Sequence, residues 1–200
     1  MDKFFDKTKQ MTTLLRTTPV DFSKEFPYQL LMDKLAEFLG CDLFIVDSKR
    51  NFLGYHYSHT DKQNSNTLKT FFNYQKLPES VAAATLAFYE INHNKKIEDS
   101  ILAPVKELAE YYSESSITVA PVYGSSLRIG TIFILSNNPL EVEQLILVEF
   151  LASIIGTQLS YLMLEELENK RRDNTLATLV GSLSRTELES FKAIIEKIEL

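Results

Sequence analysis

Apolar residues recur along this 200-residue chain at two spacings, and each spacing predicts one kind of element. A spacing of three to four residues lines one face of a helix, whereas a short apolar run or an alternation indicates a strand. We predict helices over residues 2–17, 27–39, 66–72, 78–89, 141–169 and 184–200. We predict strands over 41–47, 52–57, 117–123 and 127–135, a short extended piece over 101–105 and a charged surface loop over 91–98.

Turn residues between these segments predict two hairpins. Ser48-Lys49-Arg50-Asn51 separates the first pair of strands and Gly124-Ser125-Ser126 the second. Pro121 falls inside a predicted strand, so we expect a sheet edge or a bulge there. Gly40 follows a helical run, where a C-terminal glycine is expected. The order of elements predicts an α+β fold: an antiparallel sheet flanked by helices, followed by a long linker helix and a short C-terminal helix.

The predicted long helix is apolar on nearly every side in its first half, so more than one of its faces must be covered. One face can pack on the sheet, and the other packs either on a second subunit or inside a single large core. In the subunit alternative, the expected dimer contacts are Leu147, Leu151, Ile154 and Gln158. Residues 145–164 are also long enough to cross a membrane, but Glu149 near the middle favours a buried helix of a soluble protein.

The last predicted helix begins with a capping box, Ser184-Arg185-Thr186-Glu187, in which serine and glutamate satisfy each other's backbone N–H groups. An apolar stripe follows at helical spacing and needs a partner surface. The stripe consists of Leu188, Phe191, Ile195 and Ile198. We expect this helix to fold back on the chain, to pair with another subunit, or to belong to a further domain.

Composition narrows the range of functions. The net charge is −6 and the pI about 5.2, which is not the electrostatic footprint of a nucleic-acid-binding surface. Cys41 is the only cysteine, so no intrachain disulfide can form, which fits a reducing cytoplasm. The N-terminus lacks the apolar core of a signal peptide. We therefore predict a cytoplasmic protein.

The search for catalytic and metal motifs gives nothing positive. The sequence has no glycine-rich phosphate loop, no nucleophile elbow and no metal-ligand spacing, so we predict no enzyme, no metal site and no cofactor. Binding has one candidate, a compact apolar cluster over two short helices and their connection. Its members are Leu68, Phe71, Phe72, Leu77, Pro78 and Val81. The cluster is either ordinary core or an apolar pocket for a small ligand, and both interpretations stay open.

The succession of helices, twisted antiparallel sheet and long helix is typical of small-molecule sensor modules such as GAF and PAS domains. Several motifs also resemble the CodY family of transcriptional repressors of Gram-positive bacteria, in the order of that family. They are Thr118 to Ser125, Leu127 to Thr131, Leu145 to Glu149, Gly156 to Leu159, Leu176 to Thr178 and Leu183 to Leu188, with earlier matches at Leu53 to Tyr55 and Lys76 to Pro78.

This resemblance implies a GAF domain that binds a branched-chain amino acid, chiefly isoleucine, and a homodimer joined through a long helix to a DNA-binding winged helix. Some members also respond to GTP, but this chain has no phosphate-cradling motif from which to predict that response. By the resemblance, residues 1–160 form the effector-binding domain, 161–183 the linker helix and 184–200 the first helix of the winged domain. DNA binding is then expected only through a winged domain that is missing here, in either a fragment or a naturally shortened relative.

The resemblance also implies the effector site. It matches the residues Thr67, Leu68, Phe71, Leu77, Pro78, Val81, Ile101, Ala103, Pro104 and Val105. By the resemblance, the last four belong to a strip whose backbone carbonyls accept the amino group of the effector. The family places an arginine for the effector carboxylate where this chain has Thr67, so we expect isoleucine binding to be weakened, lost or changed in specificity. Two hypotheses remain: the effector-sensing and dimerising part of a CodY-type repressor, or a shortened non-sensing paralogue that modulates a full-length relative by forming heterodimers.

Overall fold

The computed structural model describes residues 2–58, 62–74, 76–182, 184, 186–187 and 189–190. Its helices are α1 (Asp2–Thr17), α2 (Gln29–Leu39), α3 (Lys62–Tyr74), α4 (Glu79–Thr85), α5 (Lys106–Tyr111) and α6 (Val142–Ser182), with a single 3-10 turn at Ile97–Asp99. Its strands are β1 (Asp42–Asp47), β2 (Phe52–His56), β3 (Asn92–Lys96), β4 (Ser116–Gly124) and β5 (Leu127–Ser136). The predicted α+β fold class is confirmed.

The strands form one five-stranded sheet in the order β2-β1-β5-β4-β3, and every neighbouring pair is antiparallel. The predicted β4–β5 hairpin is its longest pair and runs from Ser116 opposite Ser136 to Gly124 opposite Leu127. A register shift follows Pro121, between Val122 and Tyr123, so the bulge predicted near the proline is present. Strands β1, β4 and β5 read as apolar runs because most of their side chains are buried on both faces.

Side chains on β1 show how the two faces are used. Phe44 and Val46 join an apolar cluster with residues of α3, α4 and α5. Leu43 and Ile45 point to the opposite face, because side chains alternate along a strand, and they are fully buried as well. The elements near that second face include α2, whose backbone at Tyr28 and Gln29 lies close to Gly54 of β2, and the first part of α6.

α6 crosses β4 at a glycine. A Cβ atom added to Gly156 would lie 2.0 Å from the backbone oxygen of Tyr123 and 2.9 Å from its carbonyl carbon. Separations under 3.0 Å are essentially never seen for real Cβ atoms, so only glycine fits while the two backbones keep this approach. The close crossing sets how deeply the first part of α6 sits over the sheet.

Two predicted helix ends are present. Gly40 adopts φ 68° after α2, and its N–H donates to the carbonyl of Ala36 at 2.8 Å, as expected of a left-handed C-terminal glycine. In the predicted capping box, the Ser184 N–H and hydroxyl both donate to Glu187 Oε2, at 2.8 and 2.6 Å, and the Glu187 N–H approaches Ser184 Oγ at 3.4 Å. The apolar stripe Leu188, Phe191, Ile195 and Ile198 lies outside the described residues.

The charged loop predicted over 91–98 is wrong, because its centre is the edge strand β3, paired with β4. The strand carries no apolar alternation, since it has only β4 as a neighbour and its side chains are mostly exposed. Asn94, at φ 52°, interrupts the pairing between Asn92 and Lys95. Its side-chain amide accepts from the Leu140 N–H at 2.7 Å and donates to the Leu140 carbonyl at 3.0 Å.

The extended piece predicted over 101–105 is also wrong, because these residues form turns and the helix α5 follows them. The Ala103 N–H donates to the Ser100 carbonyl and the Val105 N–H to the Leu102 carbonyl. The segment also packs one side inward, with Leu102 fully buried. α4 is shorter than predicted, because after Thr85 the chain continues in tight turns through Phe88.

α6 is longer than predicted and ends at Ser182. Over Val142–Thr175 it is long and apolar enough to cross a membrane, with a mean hydropathy of 1.7 in its best window, of which 39% is buried. A core helix of a soluble protein passes the same test, so this is weak evidence for a span. The chain divides into two compact units, Met1–Gln158 and Leu159–Leu200, and the candidate site lies in the first. The predicted domain boundaries stay a prediction.

Candidate functional site

Aromatic rings form the layer between the sheet and helices α3, α4 and α5. Phe44 and Phe133 stack with ring centroids 4.5 Å apart, and Phe52 meets Phe71 edge-on at 5.4 Å. Phe72 stacks on Tyr55 at 4.5 Å. We call this the aromatic layer. Its geometry is that of favourable aromatic pairs, which contribute beyond their buried area.

Half of the predicted effector residues belong to the buried apolar cluster that contains this layer. Five are buried, with exposed fractions of 4% or less: Leu68, Phe71, Leu77, Val81 and Val105. Pro78, Ile101 and Ala103 are half-buried, whereas Thr67 and Pro104 are exposed. The structure therefore brings the predicted apolar residues together, while Thr67, which replaces the family arginine, lies on the outer side of α3.

Two clefts reach the edges of the aromatic layer. The first, of about 360 Å³, is named here the Arg128 cleft. It is lined by Val46, Asp47, Ser48, Arg50, Leu77, Glu79, Ala82, Ala83, Thr85, Leu86, Arg128, Gly130 and Thr131. The second, of about 520 Å³, lies beside β3 and is lined by residues that include Phe88, Asn94, Ile101 and Val119. Both volumes fall in the usual range of small-ligand sites. Of the predicted effector residues, Leu77 lines the first cleft and Ile101 the second.

The backbone of residues 101–105 was expected to accept the amino group of an effector. The Leu102 carbonyl instead accepts the Val105 N–H at 2.9 Å, and the Val105 carbonyl accepts N–H groups of Leu108 and Ala109 at 3.0 and 2.8 Å. In this conformation these two carbonyls serve the turn and the first turn of α5, and the role of the Ile101, Ala103 and Pro104 carbonyls as acceptors for an effector stays a prediction.

Arg128 is a polar group that the sequence analysis did not select. The guanidinium donates to the carbonyls of Thr85 and Phe88 and, at 3.0 Å, to the hydroxyl of Thr131. It thereby holds the C-terminal end of α4 against β5. Burial lowers the pKa of Arg128 below its ordinary value. The available signal was its place at the start of an apolar strand, where an arginine side chain is carried beside the sheet.

A third cleft, of about 320 Å³, contains a buried carboxylate that was also missed. Asp42 is 4% exposed and accepts from the Ser58 N–H and hydroxyl at 2.9 and 2.7 Å and from the Tyr112 hydroxyl at 2.8 Å. Burial and the neighbouring carboxylate raise the pKa of Tyr112 far above its ordinary value, so this hydroxyl stays a donor. The signal for Asp42 was an acidic residue beginning an otherwise apolar strand.

The residues proposed for dimer contacts divide between interior and surface. Leu147 and Leu151 are 2% and 0% exposed, so in this chain they pack inward and are not available to a second subunit. Ile154 and Gln158 are half-buried. Large apolar side chains of α6 that do reach the surface in the first unit include Val142, Ile146 and Phe150, exposed by 72%, 50% and 40%.

Metal-binding side chains are not clustered in the part of the chain that the structure describes: no group of three or more His, Cys, Asp and Glu residues is placed to hold an ion. His56 Nδ1 lies 2.8 Å from Asp33 Oδ1 instead. Cys41 is buried, and its pKa is raised to about 12 by burial and by Asp42, so its thiol is protonated at neutral pH.

Several solved structures share the fold of this chain. The chain is similar to the cofactor-binding GAF domain of the nutrient sensor CodY from Clostridium difficile, with 20% identity and a TM-score of 0.52 over 78% of this chain and 97% of that one. It is similar to the nlh2 GAF domain of A. Aeolicus in an inactive state, with 16% identity and a TM-score of 0.52 over 83% of this chain and 97% of that one. It is also similar to the GAF domain of a phosphoenolpyruvate-protein phosphotransferase from Coxiella burnetii, with 14% identity and a TM-score of 0.57 over 82% of this chain and 96% of that one. The fold is that of a GAF domain.

The family follows from the sequence. The model of the CodY GAF-like domain matches residues 3–182, which is nearly the whole chain. The chain therefore belongs to the CodY GAF-like domain family, and the resemblance seen in its motifs is confirmed.

Proposed function

We propose that this chain is the effector-sensing and dimerising part of a cytoplasmic CodY-type transcriptional repressor that responds to branched-chain amino acids of the isoleucine class. The family match over residues 3–182 carries the proposal. The aromatic layer supports it, because it collects the predicted apolar residues at one place and clefts of ligand size open at its edges.

The effector site is proposed at the predicted residues, with entry where Leu77 and Ile101 line the two clefts. Thr67 is exposed and offers at most one neutral hydrogen bond to a carboxylate. Compared with an arginine at this position, the threonine loses about 1.5–3 kcal/mol of binding free energy, or roughly 10- to 150-fold in affinity for the effector. We therefore expect isoleucine to bind weakly.

Calorimetric titration with L-isoleucine tests this proposal. Thr67→Arg should strengthen binding at least about tenfold. Thr70→Arg, which adds the same charge at another exposed position of α3, is the matched control and should leave the affinity unchanged. Equal strengthening by both variants would indicate a general charge effect. Tight isoleucine binding by the unmodified chain would contradict the weakened anchor.

Dimerisation is proposed through α6, with Ile154 and Gln158 beside its exposed apolar side chains. Sedimentation velocity should give a species of twice the 22.9 kDa chain mass. Ile146→Glu should shift it toward the monomer, because a carboxylate would be buried in the interface. Glu149→Gln, a polar change on the exposed part of the same helix, is the control. A monomer in the unmodified protein at micromolar concentration would remove this part of the proposal.

The alternative function is a non-sensing partner of a full-length relative. The packed aromatic layer and the exposed Thr67 favour it, since both weaken effector binding. Mixing the chain with a full-length relative should then give heterodimers with reduced operator binding. In either case we expect no sequence-specific gel shift from these 200 residues alone, because the resemblance assigns DNA contact to a winged helix.

A further inference from the structure

The Arg128 cleft brings two arginine side chains together over an apolar wall. Arg50 reaches it from the β1–β2 turn and Arg128 from the start of β5. The wall between them includes Leu77 and Ala82, which belong to or pack against the aromatic layer, and Val46 from β1. Cations beside an apolar wall, in a cleft of about 360 Å³, suit a small organic anion.

Arg128 is the central group because its charge is not balanced by a carboxylate. Its hydrogen-bond partners are two backbone carbonyls and one hydroxyl, and no acidic group pairs with it among the residues the structure describes. A guanidinium has five N–H donors, so donors remain beyond these three contacts. Burial lowers its pKa, as expected for a cation that has lost water without gaining an anion.

The two acidic residues that line the cleft have partners other than Arg128. Asp47 is occupied by the turn: its Oδ1 accepts from the N–H groups of Lys49 and Asn51 at 2.8 Å, and its Oδ2 accepts from the Asn51 amide at 2.8 Å. Glu79 is 87% exposed, and its Oε2 lies 3.9 Å from Arg50 Nη1, which is a loose, solvated pair.

The turn also fixes where Arg50 lies. Its backbone has φ 72°, a left-handed conformation that arginine rarely adopts. It is held there by the Asp47 contacts and by its own carbonyl, which accepts the Leu77 N–H at 3.0 Å. A strained residue kept in place beside a cleft is a feature of ligand sites.

We propose that the Arg128 cleft binds a small aliphatic carboxylate, with Arg128 on the carboxylate, Arg50 at the mouth and the hydrocarbon part of the ligand against Leu77 and Ala82. This site shares Leu77 with the isoleucine site proposed above, but its two arginines lie outside that site. A planar carboxylate matches the fork of a guanidinium, and the apolar wall favours a hydrocarbon part over a second charge.

Arg128 could serve solely to cap α4, and the test must separate the two roles. The probes for calorimetry are isovalerate, inorganic phosphate and 3-methyl-1-butanol, which offer respectively charge with a branched chain, charge alone and the branched chain alone. We expect isovalerate to bind best. Arg128→Gln should weaken it at least about tenfold, and Arg128→Lys should weaken it less, since the cation is kept.

Arg50→Asn removes the second cation without disturbing the turn, because asparagine tolerates the left-handed conformation better than arginine. It should weaken isovalerate binding severalfold with the fold intact by circular dichroism. Lys49→Asn is the matched control: it removes one charge from the same turn but does not line the cleft, so the affinity should not change.

The proposal is overturned if isovalerate does not bind the folded protein, if Arg50→Asn and Lys49→Asn have equal effects, or if phosphate binds more tightly than isovalerate. Should Arg128→Gln unfold the chain, Arg50→Asn still decides the matter. Both arginine positions lie outside the predicted isoleucine residues, and Thr67 does not line the cleft, so isovalerate titration of Thr67→Arg separates the two sites: its affinity should equal that of the unmodified chain.

Discussion

The contact between Gly156 of α6 and Tyr123 of β4 predicts a large effect for the smallest substitution, Gly156→Ala. The added Cβ would lie 2.0 Å from the Tyr123 oxygen, and its three nearest neighbours are all backbone atoms of Tyr123. To reach the 3.0 Å limit of real contacts, the helix or the strand must move by about 1 Å in a close-packed interior.

The size of the effect follows from two opposing contributions. Overpacking a rigid interior costs about 1–3 kcal/mol, and contact with backbone places this site at the upper end of that range. Alanine stabilises a helix by about 1 kcal/mol relative to glycine, which offsets part of the cost. We expect a net destabilisation of about 2 kcal/mol, or a fall in Tm of about 4–8 °C for a chain of this size.

Urea denaturation followed by circular dichroism measures this change, with a lower midpoint at unchanged slope as the expected result. Ser153→Ala, at an exposed position one turn earlier in α6, is the control and should stay within about 0.5 kcal/mol of the parent. If Gly156→Ala is as stable as Ser153→Ala, then α6 does not approach β4 as described and the reasoning fails.

Three further predictions concern stability. Tyr112→Phe removes a buried hydrogen bond to the Asp42 carboxylate and should cost about 1.5–3 kcal/mol in urea denaturation, whereas Tyr111→Phe should cost less. Ser125→Asn should raise the urea midpoint slightly, because Ser125 has φ 60° in the β4–β5 turn and asparagine tolerates that conformation better; a lower midpoint would contradict this. The pKa of Cys41 is raised from 9.0 to about 12, so the folded chain keeps a proton that the unfolded chain loses. Cys41 should cost no stability below pH 9 and up to about 1.4 kcal/mol per pH unit from there towards pH 12, in addition to the costs of the buried Tyr28 and Tyr112, whose pKa values are also raised, so stability should fall less steeply in Cys41→Ala.

The sequence predicts the elements whose side chains face a core on a regular period. The β4–β5 hairpin and the Gly40 end of α2 are examples, because buried apolar runs and a left-handed glycine leave clear local signals. β3 leaves none: it is an edge strand held by backbone pairing to β4, and its polar side chains face water. The turn over 101–105 is likewise set by tertiary packing, since Leu102 is fully buried while Ile101 and Ala103 on either side are only half-buried, and an unbroken apolar run does not show this difference.

The candidate site is predictable to a similar degree. Leu68, Phe71, Leu77 and Val81 do come together, because helical spacing decides which residues share a face. Arg128, Arg50 and Asp42 are not predictable in this way. Arg128 is 40 residues from the Phe88 carbonyl in sequence, and Asp42 is 70 residues from the Tyr112 hydroxyl. Only the folded sheet brings such groups within hydrogen-bonding distance.

The amide of Asn94 joins the edge strand to the residue just before the long helix. It supplies both a donor and an acceptor to Leu140, so the two bonds cannot be lost separately: a rotation of this one side chain releases both. The same side chain also lines the cleft beside β3. A single side chain, that of Asn94, therefore connects the edge strand β3 to the segment that leads into α6. Because it also lines a cleft of ligand size, a small molecule bound there would lie beside this connection.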